Sequence, residues 1–155
     1  MTRSFLVAIL AVGATCVPLG AQQAGSADEN AVRALIESSG ETKPKVMDDF
    51  IFVAGAYPRP IIGRGQIDAS DTAMAEADAE RKKRSHVVLK TRPQKVVVAK
   101  AGDMAYGFAL FEMEFDRPDS TGKTEHVKFE GSQLTVWRKI GAEWLLAASF
   151  NRPNE

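Results

Sequence analysis

The chain has 155 residues, 45% of them hydrophobic and 26% charged, with 20 basic side chains against 20 acidic. That length holds one domain with a sizeable core, and the balanced charge draws it to neither nucleic acid nor an anionic membrane. The single cysteine, Cys16, excludes an intrachain disulfide and a thiolate zinc set.

The first residues have the layout of a secretory signal: Arg3, an apolar run from Phe5 to Leu19, then small residues at Gly20 and Ala21. The run is too short for a membrane span, which needs roughly 20 residues. Cleavage is expected after Ala21, with Ala24 as the alternative, giving an exported, periplasmic or secreted protein. No stable membrane insertion is expected once the signal is gone. Gly13 stands where a lipid-attachment signal needs a branched apolar residue, so Cys16 is not a lipidation site. Residues 22–27 are small and polar and read as a flexible leader, and residues 28–155 read as one domain.

Asp28 is placed to cap a helix whose apolar stripe is Val32, Leu35 and Ile36, with Gly40 as its stop. Pro44 opens a short helical turn ending at Asp48-Asp49. Phe50 to Ala54 is then a strand, Tyr57 to Pro60 a turn, and a short second strand reaches Gly63. Gln66 to Arg84 repeats apolar residues at helical spacing, with acids leading and the basic cluster Arg81-Lys82-Lys83-Arg84 trailing, which reads as a solvated helix end. His86 to Ala99 is a strand bent at Pro93, and Met104 to Asp116 is a second long strand. After the loop 117–124, two more strands meet at the turn Ile140-Gly141-Ala142-Glu143. In the last strand Trp144, Leu146 and Phe150 fall on one face, Leu145 and Ala147 on the other. The order is α+β with an antiparallel sheet rather than a βαβ repeat.

Four stretches then carry a resemblance: residues 48–53 (DDFIFV), 61–64 (IIGR), 102–107 (GDMAYG) and 136–153 (VWRKIGAEWLLAASFNRP). In this order and spacing, over residues 28 to 153, they resemble the nuclear transport factor 2-like superfamily in its SnoaL-like, domain-of-unknown-function-4440 branch. The resemblance implies a curved antiparallel sheet wrapped around N-terminal helices: a cone-shaped, cystatin-like α+β roll with a cavity at its wide end. It also implies a homodimer through the sheet's outer face. The chain departs from the pattern between residues 40 and 49, where little room is left for the second helix, so the helical floor is expected to be shortened.

Ketosteroid isomerases of this superfamily use a carboxylate base with a tyrosine and a protonated aspartate as oxyanion donors. At the corresponding positions this chain has Ala54, no tyrosine on the first helix, and Thr135. That chemistry is excluded. Alternation puts Gln133, Thr135 and Trp137 on one face, which by the resemblance looks into the cone, with Asn151 and Arg152 near its mouth. These five are the ligand-binding candidates, against the plainer reading of a satisfied core. Glu112, Asp49 and Tyr106 are the catalytic candidates: Glu112 as a base if buried, more commonly a solvated residue, and Asp49 more commonly a helix cap. His86 and His126 lack metal-ligand spacing, so neither metal nor cofactor is expected.

The first functional reading is an exported protein that holds a small apolar or amphipathic molecule in the cone. The alternatives are a lyase- or isomerase-like enzyme built on another constellation, and a structural dimer whose cone is filled by Trp137, Phe108 and Phe111. The scaffold hosts all three kinds of protein.

Overall fold

The computed structural model describes residues 20–63 and 71–154, with side chains from Ala27 onward. The signal stretch and Ile67 therefore lie outside the described residues. The elements are α1 (Gly20–Glu37), a 3-10 turn (Ser38–Gly40), β1 (Val46–Ala54), β2 (Ile61–Ile62), α2 (Thr72–Lys82), β3 (Ser85–Val98), β4 (Met104–Pro118), β5 (Thr124–Ile140) and β6 (Glu143–Pro153). No described helix is long and apolar enough to cross a membrane.

The six strands form one sheet in the order β2-β1-β6-β5-β4-β3. Four of its five pairings are antiparallel, as expected; β1 runs parallel to β6. The reason is connectivity. β1 enters after the helix and returns to the sheet beside the last strand, so no hairpin sets its direction.

α1 lies across β3 and β4 with the expected stripe inward: Val32 and Ile36 are fully buried, and Leu35 packs beside them. The approach is close because position 107 has no side chain. A methyl group on Gly107 would overlap Ile36 Cδ1. Odd-numbered residues of β4 and β5 (Ala105, Ala109, Thr135, Trp137) thus face α1, and even-numbered ones face outward. Pro93, which cannot donate to the ladder, sits at a register shift between Pro93 and Lys95, so the expected bend in β3 is a bulge.

Several local expectations need correction. Asp28 is not a cap, since α1 begins at Gly20 and takes in the stretch read as a leader. Asp28 instead accepts hydrogen bonds from Lys139 Nζ (2.6 Å) and Trp144 Nε1 (3.3 Å), tying α1 to the β5–β6 end of the sheet. Gly40 does end the helical stretch, as expected, and its backbone passes against Leu89 of β3, leaving no space for a Cβ. The turn expected over 44–49 is strand: β1 starts at Val46, opposite Leu146, and Leu146 N–H donates to the Lys45 carbonyl at 2.9 Å. The helical floor is correspondingly short. Phe150 does not share a face with Trp144 and Leu146. Val136 pairs with Ala148 while Trp137 pairs with Leu146, so Ala147 is an extra residue and the alternation inverts beyond it.

Candidate functional site

Inward-facing side chains change character along the cone. Toward the β5–β6 turn Trp137 is 1% exposed and packs with Val32, Ile36, Ala105 and Leu146. Its indole N–H donates to Thr135 Oγ1 (2.9 Å), and the Thr135 hydroxyl donates to the Gly107 carbonyl (3.2 Å). Both polar groups are thereby satisfied within the core, and neither is available to a ligand.

One step along β5, Gln133 and its partner Asn151 are half-buried, while Ser149 between them is buried. Gln133 pairs with Asn151 across β5–β6, and Thr135 with Ser149. Gln133 Nε2 donates to Ser149 Oγ (3.1 Å), whose hydroxyl donates to Asn151 Oδ1 (3.1 Å). This chain leaves the Gln133 carbonyl oxygen and the Asn151 amide protons uncommitted by these bonds, so the pair offers both an acceptor and donors. The register of the parallel pair sets Phe52 beside Ser149 and Ala54 beside Asn151.

Further out, the inner face is aromatic. Phe129 meets Phe111 edge-on at 6.0 Å and Phe115 at 6.1 Å. Arg84, just past α2, lays its guanidinium 4.3 Å over the Phe115 ring. On the other side Tyr57 contacts Phe52 edge-on at 6.2 Å, and its hydroxyl donates to Asp78 Oδ1 at 3.5 Å. The inward positions of β4 from Ala105 to Phe115 and of β5 from Val127 to Trp137 carry no Asp, Glu or His.

The remaining candidates do not reach this surface. Glu112 and Tyr106 are on the outer face, and Glu112 is held by Arg92 rather than buried as a base. Asp49 is exposed in the irregular stretch of β1 between Val46 and Ile51. Arg152 pairs with Ser132 and so belongs to the outer face, not the cavity mouth. Phe108 also faces outward, so it does not help fill the cone.

The outer face has two parts. One is apolar: Tyr106 (44% exposed), Phe108 (40%), Leu134 (40%) and Phe150 (40%) lie on the three adjacent strands β4, β5 and β6. The other is charged. Asp116 sits between both histidines, 2.9 Å from His86 Nδ1 and 2.8 Å from His126 Nδ1. The hydrogen bond with His126 and then that with His86 hold the Asp116 carboxyl below its ordinary range. Sequence spacing hid this cluster, although the β4–β5 register places Asp116 opposite His126. Among the described residues no group of three or more His, Cys, Asp or Glu is arranged to hold a metal ion.

No family profile matches the chain, and no curated protein sequence matches it. Solved structures do. An NTF2-like protein of unknown function from Prochlorococcus sp. NATL2A superposes with a TM-score of 0.51 at 13% identity, over 84% of this chain and 94% of the other. A protein from Kribbella flavida gives 0.51 at 14% identity, over 86% and 93%. A candidate dehydratase of the NTF2-like family from Streptomyces avermitilis gives 0.50 at 15% identity, over 89% and 99%. The chain has the nuclear transport factor 2-like α+β fold.

Proposed function

We propose that this is an exported binding protein of the SnoaL-like branch, holding a small amphipathic organic molecule in the wide half of its cone. The observation that carries the reading is the chain Gln133–Ser149–Asn151, two half-buried amides joined through a buried serine, on an inner face otherwise built of aromatic and small apolar residues. Such a surface receives an apolar body by burial and orients it with a few polar contacts. Export rests on the N-terminal signal layout. The inward positions of β4 from Ala105 to Phe115 and of β5 from Val127 to Trp137 supply no acid or base for turnover.

The test is side-chain amide NMR. Adding an apolar or amphipathic ligand is expected to shift the Gln133 and Asn151 amide signals, and Gln133→Leu is expected to weaken binding roughly tenfold through the lost hydrogen bond. Binding that leaves both signals in place would overturn the reading.

We further propose that the outer apolar strip closes a homodimer. Exposed aromatic and aliphatic residues on three neighbouring strands are the composition of a subunit contact. Light scattering is expected to give twice the protomer mass for the native chain and the protomer mass for Phe108→Glu. A monomeric native protein would contradict this.

A further inference from the structure

We propose that Arg84 is an anion-binding group at the mouth of the cone, and that the bound molecule is an organic carboxylate with an apolar body. The inference rests on the cone-binding reading and narrows its ligand class.

The structure divides the basic cluster that the sequence presents as one solvated run. Arg81 Nη2 lies 3.3 Å from Asp78 Oδ1, Lys82 Nζ 2.6 Å from Asp78 Oδ2, and Lys83 Nζ is paired with Glu80. All three are exposed. Arg84 is half-buried, turns onto Phe115, and has no carboxylate partner among the described residues.

The acids described nearby are already engaged. Asp78 and Glu80 serve the helix cations. Glu125 holds Arg117 at 3.1 Å, and Asp119 accepts from the Thr121 hydroxyl and from the backbone N–H groups of Thr121 and Lys123. Arg117, Asp119, Glu80 and Glu125 help line a groove of about 440 Å³ at this end of the molecule.

Stacking uses the face of a guanidinium and leaves its in-plane N–H donors for an edge-on partner, a geometry that fits a planar carboxylate. Phe115 is buried on the inner face, and the Phe115–Phe129–Phe111 series leads inward from it. A carboxylate seated on Arg84 would therefore set its apolar body against Phe129, the half-buried ring of the series. Burial, and then the like charges of Arg81 and Arg117, hold the Arg84 pKa below the ordinary arginine range. A bound anion relieves that unfavourable setting.

Calorimetric titration of the full chain with octanoate and its neutral counterpart octanamide tests the proposal. The native protein is expected to bind octanoate at least about tenfold more tightly, the effect of one charge-assisted contact. Arg84→Gln should abolish the difference, bringing the affinity for octanoate down to that for octanamide. Equal affinities in the native protein, or a preference that survives Arg84→Gln, would overturn the role of Arg84 while leaving the cone reading standing. Binding of neither compound would overturn both. If Arg84→Gln does not fold, the Arg84 Nε–H signal of the native protein decides: it should move with octanoate and stay with octanamide, and the reverse sinks the proposal.

Discussion

Replacing Gly40 with alanine is expected to destabilise the protein by about 3 kcal/mol, at the upper end of overpacking costs. The added methyl group would overlap the Leu89 carbonyl, which is strand backbone and has little freedom to withdraw. Relief requires the 3-10 turn to lift from β3, which also breaks the Ser39–Thr91 hydroxyl contact at 3.2 Å beneath it. For a domain of this size that corresponds to a fall in Tm of roughly 10 °C. Gly55→Ala is the control: its added Cβ would make only ordinary contact, 3.4 Å from Pro153 Cδ. Thermal unfolding followed by circular dichroism should separate the two variants clearly. Equal melting temperatures would show that α1 and its following turn are not pinned to β3 as described.

Asp28→Ala is expected to cost about 2 kcal/mol, because it removes a charge-assisted hydrogen bond and leaves a half-buried Lys139 without its partner. The indole N–H of Trp144 loses an acceptor at the same time. The tether also has a pH signature. The hydrogen bond from Lys139, with smaller help from Trp144 and against the cost of burial, holds the Asp28 carboxyl below its ordinary range. A depressed carboxyl stabilises the fold above the unfolded-state value of about 3.9, and that contribution is lost as pH falls through the folded value. The native protein should therefore lose stability on acidification below about pH 4 more steeply than Asp28→Asn. Denaturant midpoints measured from pH 6 down to pH 2 check this, and parallel curves would contradict it.

These two contacts also mark where the sequence was legible and where it was not. Alternation and turn chemistry located β3 through β6, and the four ordered stretches indicated the cone. The stripe of Val32, Leu35 and Ile36 correctly gave the buried side of α1. Asp28 was misread because a capping rule sees only neighbours in sequence, whereas its partners are 111 and 116 residues away. Asp48 and Asp49 looked like a helix end, but pairing of Val46 with Leu146 draws that stretch into the sheet. A single extra residue, Ala147, inverts the facing of Phe150, and no period-two count anticipates a bulge.

The site was legible in the same uneven way. Alternation singles out Gln133, and the end of the last strand singles out Asn151; the β5–β6 register pairs the two on the inner surface. Thr135 and Trp137 were found by the same rule, yet they spend their polar groups on each other and on Gly107. Arg84 was hidden within a run of four cations, since nothing in composition distinguishes the one that turns onto a ring from those that turn to solvent.

Native mass spectrometry of the protein purified gently from its own source tests the central claim most directly. A binding cone predicts an assembly carrying a stoichiometric small molecule, with that added mass lost in a Gln133→Leu, Asn151→Leu double variant that still folds. An assembly that is empty as isolated, and stays empty after incubation with apolar and amphipathic metabolites, would contradict the claim.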